Sequence, residues 1–169
     1  MFARRLPIFL FLTAALGLSM AAAARADDEP PLVLQESISL QQPAAPVETT
    51  LDKALDLLGV RYRWGGSKPE TGFDCSGFVR HVFQEGLGLD LPRSAREQSK
   101  AGEPVAKAEL QPGDLVFFNT MRRAFSHVSI YLGGDLFVHA PHRGGHVRVD
   151  DMSGRYWTKR FNGARRVAD

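Results

Sequence analysis

The spacing of apolar positions changes character along the chain. Leu51, Ala54, Leu55, Leu57 and Leu58 recur at helical spacing, which predicts a helix capped by Thr49 or Thr50 and stopped by Gly59. Tyr62-Arg63-Trp64-Gly65-Gly66 follows as a short extended piece ending in a turn. Phe78, Val79, Val82, Phe83 and Leu87 predict a second helix from Cys75 to Gly86 or Gly88. Leu91-Pro92-Arg93-Ser94 opens a third, shorter one through Gln98, closed by Gly102. After the Pro112-Gly113 turn the period becomes two. Leu115 to Phe118 is a continuous apolar run, as a buried strand requires, and Val128, Ile130 and Leu132 alternate with His127, Ser129 and Tyr131. Gly133-Gly134-Asp135 is a turn signal, and strands are expected over Leu136 to Ala140, Val147 to Val149 and Phe161 to Val167. Helices first and antiparallel strands afterwards predict an α+β domain.

The N-terminal third is different. Arg4 and Arg5 precede an uncharged apolar run from Ile8 to Met20, and Ala24-Arg25-Ala26 offers small residues where a signal peptidase reads. The run is shorter than the about 20 residues that span a bilayer. Residues 1–26 are therefore expected to be a secretory signal, with no stable membrane anchor. The absence of a cysteine near the cleavage region excludes a diacylglyceryl lipoprotein. Residues 27–48 are acidic and then rich in Gln, Pro and Ala; Pro30, Pro31, Pro43 and Pro46 interrupt any helix, which predicts a solvated linker ahead of a single domain over 49–169. Export also changes the charge argument. Removing Arg4, Arg5 and Arg25 from 21 basic side chains leaves 18 against 19 acidic ones, a net charge of −1 that gives no reason to expect a nucleic-acid partner.

Cys75 is the only cysteine. In an oxidising compartment it has no internal disulfide partner. It is inert and buried, paired with another chain, or present for its chemistry. Taken alone, such a residue is more often a buried structural thiol; as a nucleophile it would stand at a helix start, where unpaired N–H groups and the helix dipole stabilise a thiolate. Asp74 fits the N-cap, and Gly72 and Gly77 are expected to let the backbone approach a bound substrate. A thiol nucleophile needs a base and a group that orients the base. A three-residue loop at Gly133-Gly134-Asp135 puts His139 opposite Ser129. His127 shares a face with Ser129, so the two histidines become diagonal neighbours with Cα atoms roughly 7–8 Å apart. A two-residue loop would put them on opposite faces. The histidine nearer the thiol is expected to take its proton, leaving an ion pair at neutral pH, while the other fixes the ring.

At this point the sequence resembles a known family. Phe73-Asp74-Cys75-Ser76-Gly77-Phe78-Val79 and Ser126-His127-Val128-Ser129-Ile130-Tyr131-Leu132-Gly133 are similar to the two signature blocks of NlpC-type cell-wall peptidases. Five further pieces match in order: Tyr62 to Gly66, Leu91 to Ser94, Gln111 to Phe118, Phe137 to Ala140 and Gly163 to Val167. The resemblance spans residues 50 to 167. It implies a papain-like fold, with N-terminal helices packed on a central antiparallel sheet, and a Cys-His-His triad. Cys75 would be the nucleophile, His127 the base and His139 the orienting residue, with the Tyr62 hydroxyl near the oxyanion. Asp74 and Ser76 match positions that contact the stem peptide in relatives, and Trp64 is a further candidate contact. The implied substrate is peptidoglycan, cut at the D-Ala–meso-diaminopimelate crosslink or the γ-D-Glu–meso-diaminopimelate bond. The implied setting is the periplasm or cell envelope, for a soluble monomer that needs no cofactor. Ser129 stands where the family commonly has Gly.

Two other readings compete. One is a non-catalytic peptidoglycan-binding or regulatory module on the same fold. The other is a metal site at His139, His142 and His146, which the spacing disfavours: the three do not share a strand face, and Pro141 and Gly144-Gly145 break the segment. No metal is expected.

Overall fold

The computed structural model describes residues 45–120 and 123–168; the expected signal segment and residues 27–44 lie outside them. The chain runs α1 (Ala45–Asp56), β1 (Ser67–Lys68), β2 (Gly72–Phe73), α2 (Cys75–Leu87), α3 (Ala95–Gln98), β3 (Glu103–Val105), a 3-10 turn (Lys107–Glu109), β4 (Leu115–Phe118), β5 (His127–Gly133), β6 (Leu136–His139), β7 (Arg148–Asp151), α4 (Arg155–Thr158) and β8 (Phe161–Arg166). β1 and β2 form a two-stranded ribbon. The remaining strands form one sheet in the order β3-β8-β4-β5-β6-β7, with every pairing antiparallel.

The first helix starts earlier than the capping residues suggest. It begins at Ala45, so residues 45–48 of the expected linker are helical. Pro46 does not interrupt it, because in the first turn of a helix the missing N–H has no intrahelical partner to lose. Thr50 is not a cap: it is buried, its hydroxyl donates to the Pro46 carbonyl at 2.8 Å, and it packs against Gly86 of α2. α3 is shorter than expected, because Ser94 is its N-cap in a capping box with Glu97.

α2 begins where the sequence places it. Asp74 caps it by accepting from the Gly77 N–H at 2.7 Å, and Gly88 ends it in the left-handed region at φ 67°. Its buried face, Phe78, Val79, Val82 and Phe83, meets Leu115, Phe117, Val128, Ile130 and Val138 on one face of the sheet. The alternate residues of the same strands, Val116, Phe118, Tyr131 and Phe137, build a second core with Met152 and Trp157. Period-two alternation thus supplies both layers.

The β5–β6 hairpin closes differently from the expected three-residue loop. Gly133 pairs with Leu136, leaving the two-residue turn Gly134-Asp135, with φ 58° and 64°. Those positive angles suit the tight turn that matches strand twist. A register shift between Tyr131 and Gly133 then restores the offset, so Ile130 faces Val138 and Tyr131 faces Phe137. The extra residue of a bulge does what an odd loop would have done. The two-residue turn therefore does not separate the histidines.

β7 extends to Asp151, two residues past the expected strand end. β3 and α4 are elements that the apolar pattern does not announce. Among the described residues β3 pairs only with β8, and it carries Pro104, as suits a sheet edge.

Candidate active site

A cleft of ≈ 1390 Å³ is lined by Tyr62, Trp64, Asp74, Cys75, Ser76 and His127, with Trp157 and several arginines beside them. Six of the seven residues singled out from the sequence share this one space; the seventh, His139, is fully buried behind His127.

Cys75 is the first residue of α2, and the capping carboxylate of Asp74 sets its backbone. Glycine is required here for chain packing more than for substrate. A Cβ on Gly77 would run into the Gly66 carbonyl oxygen, and one on Gly72 would meet the Arg61 carbonyl. The Tyr62–Gly66 segment is thereby seated directly against the first turn of α2. The sulfur sits among backbone donors: the N–H groups of Val128, Ser76 and Cys75 itself favour its thiolate. Val128 directly follows His127, so this contact puts the histidine strand against the thiol. Burial nevertheless dominates and, with the Asp74 charge, pushes the thiol up to about 11. Desolvation thus works against the thiolate that the helix terminus favours.

His127 and His139 meet as the register requires. Nε2 of His127 lies 2.8 Å from Nδ1 of His139, and the rings stand nearly perpendicular at 5.0 Å between centroids. Burial pushes His127 well below the ordinary imidazole range, and His139 adds to this while Asp150 opposes it. His139 is also lowered, by burial, against the pull of its hydrogen bond to Asp150. Both rings are neutral at neutral pH.

Three residues here escape the sequence pattern. Nε2 of His139 lies 3.1 Å from Oδ2 of Asp150. Arg148 holds the same carboxylate at two points, Nε to Oδ1 at 2.9 Å and a terminal nitrogen to Oδ2 at 3.0 Å. Burial alone would raise the Asp150 carboxyl, but these partners hold it well below the usual carboxylate range. The signal was a pair of charges at strand spacing, Arg148 and Asp150, obscured because the apolar run ends at Val149. Trp157 stacks on His127 at 5.8 Å and 26°, and stands edge-on to His139 at 5.2 Å. It comes from α4, which has no periodic pattern.

On the other side of the thiol, Arg93 grips Asp74 with both terminal nitrogens, at 3.0 and 2.6 Å, and donates to the Ser76 hydroxyl at 3.0 Å. Tyr62 is held at its backbone by the Gly145 carbonyl at 2.7 Å. Burial and the neighbouring Cys75 and Asp74 charges raise its phenol, so the hydroxyl keeps its proton as a donor. Trp64 is no core aromatic: it is 68 % exposed at the cleft. Among the described residues, no group of three or more His, Cys, Asp or Glu could hold a metal ion, so His139, His142 and His146 do not form such a site.

The model of the NlpC/P60 family matches residues 59–166. The chain belongs to the NlpC/P60 family. It is 48 % identical over 117 residues to murein DD-endopeptidase MepS/murein LD-carboxypeptidase of Escherichia coli (strain K12), covering 69 % of this chain and 61 % of that protein. It is 38 % identical over 123 residues to murein DD-endopeptidase MepH of the same organism, covering 71 % and 45 %. With the gamma-DL-glutamyl hydrolase of Bacillus subtilis (strain 168) it shares 43 % over 125 residues, 73 % of this chain and 30 % of that one. The chain thus spans about half the length of the relatives it matches. Among solved structures, the NlpC/P60 domain of the peptidoglycan hydrolase SagA superposes with a TM-score of 0.63 at 32 % identity, over 71 % of this chain and 97 % of that one. An NLP/P60 family protein from Staphylococcus aureus subsp. aureus Mu50 gives 0.66 at 37 % identity, over 76 % and 43 %. The α+β architecture is the papain-like one of this family.

Proposed function

We propose that the chain is an exported cysteine endopeptidase that hydrolyses amide bonds in peptidoglycan stem peptides or their crosslinks. The observation that carries this reading is the 2.8 Å contact between His127 and His139 beside the helix-terminal Cys75. With Nε2 of His127 committed to His139, Nδ1 is the ring nitrogen left for the thiol. Cys75 attacks the amide carbonyl while His127 takes the thiol proton, so neutral partners separate charge only as the bond forms. The Tyr62 hydroxyl and the Cys75 backbone N–H donate to the oxyanion. His127 then gives its proton to the leaving amine, and a water deprotonated by His127 clears the thioester. No cofactor takes part.

The cleft supports a carboxylate-bearing substrate. Arg93, Arg96, Arg123, Arg143 and Arg148 line it against Asp74 and Asp150. Both acids are already engaged by Arg93 and Arg148. Stem peptides are rich in carboxylates, and Trp64 offers an exposed face beside them. Of the two candidate bonds, the D-Ala–meso-diaminopimelate crosslink is favoured by the higher identity and greater coverage of the murein DD-endopeptidase MepS. The signal segment 1–26 would send the protein to the cell envelope.

Digestion of purified sacculi followed by mass spectrometry tests the reading. Active protein should convert crosslinked muropeptides to monomers, whereas truncated stems would assign the γ-D-Glu bond instead. Cys75→Ala should release neither; product release by that variant would end the proposal.

A further inference from the structure

We propose that Asp150 is a positioning residue, which acts through His139 to fix the ring nitrogen of His127 that accepts the Cys75 proton. The inference rests on the assignment of Cys75, His127 and His139 above and extends it to Asp150. An ionised carboxylate only accepts hydrogen bonds. The 3.1 Å contact between Oδ2 of Asp150 and Nε2 of His139 therefore puts the hydrogen on that nitrogen. A neutral His139 then has a bare Nδ1, which can only accept. The 2.8 Å contact from Nδ1 to Nε2 of His127 in turn puts the hydrogen on His127 Nε2. A neutral His127 is left with a bare Nδ1, the form a general base needs. The opposite arrangement would turn a lone pair of His139 toward the carboxylate.

The rest of the neighbourhood maintains this order. Arg148 donates to both oxygens of Asp150, which keeps the carboxylate ionised and orients it. Register puts Arg148 opposite His139, and Asp150 one strand step further along. His139 is fully buried and edge-on to Phe137 and Trp157, so no water replaces the carboxylate on its Nε2. When His127 takes the thiol proton, neither inner hydrogen has to move. The negative charge of Asp150, relayed by one ring, stabilises the imidazolium.

The alternative is a structural ion pair on an edge strand, indifferent to the ring tautomer. Ring 15N spectra of histidine-labelled protein separate the two without any substrate. Wild type should show His127 protonated on Nε2 and bare on Nδ1. Asp150→Ala should give mixed tautomers and lower kcat by roughly 10²-fold with KM little changed, less than the ~10⁴-fold seen where the carboxylate touches the catalytic base directly. Asp150→Leu, similar in size and without an acceptor, decides the matter by the same criteria if the alanine variant does not fold. The proposal is overturned if wild-type His127 carries its hydrogen on Nδ1. It is equally overturned if a folded variant keeps the wild-type ring spectrum and a kcat within about threefold of wild type. Wild-type protein inert toward peptidoglycan would sink the substrate reading and leave the tautomer assignment standing.

Discussion

At the scale of single residues, burial shields the two imidazoles and disfavours charge on both. Trp157 supplies much of that shield, stacked on His127 and edge-on to His139. Replacing it with alanine should let water reach both rings and relax their values upward toward about 6.5. A protonated His127 cannot take the thiol proton. The acid limb of the kcat/KM profile should therefore move to higher pH in Trp157→Ala, with a greater loss at pH 6 than at pH 8. An unmoved acid limb in a folded variant would contradict this account. The meeting of His127 and His139 was legible in the sequence because the strand period places them, and Cys75 stood out as the one thiol at a helix start. Asp150 and Trp157 were not, because each lies outside an apolar pattern and matters only through what it touches.

At the scale of elements, two junctions position the chemistry. The hairpin reaches its odd register through a bulge, which no count of turn residues reveals. The first turn of α2 lies so close to the Tyr62–Gly66 segment that Gly77 has no room for a side chain. Gly77→Ala sets two effects against each other. Alanine favours a helix by about 1 kcal/mol over glycine. The collision, however, is with a backbone carbonyl that cannot swing aside, and overpacking typically costs about 1–3 kcal/mol. The clash should win: the melting temperature should fall, and activity should fall further because the proposed oxyanion donors move with the segment. A variant more stable than wild type would show that the turn can yield. The third helix shows the limit of local signals, since Pro92 and Arg93 look like a helix start and the Ser94–Glu97 capping box sets it two residues later.

At the scale of the molecule, the buried histidines couple the site to stability. Both have folded-state values below their unfolded ones. Below about pH 6.5 the unfolded chain binds protons that the native state refuses, so stability should fall as the pH drops from 7 to 5. Asp150 is also held below its ordinary value. Its contribution is present above about pH 4 and is lost as the pH falls further, adding to the same trend. Urea midpoints measured across this range should show the decline. A His127→Gln/His139→Gln double variant should flatten the part between pH 7 and 5; an equally steep slope without the histidines would refute the linkage. By itself, the sequence determined the α+β class, the second helix and its cap, and the central strands, and it put forward Cys75, His127 and His139 as the residues to propose for a triad. Each of these is written in local spacing: 3.6 for a buried helix face, two for a strand, and a capping residue before a thiol. Tertiary structure alone decided how far that thiol is desolvated, because burial depends on everything packed around it. It also decided the carboxylate behind His139, the indole over His127 and the register that brings the rings together, since these join residues whose proximity no local spacing encodes.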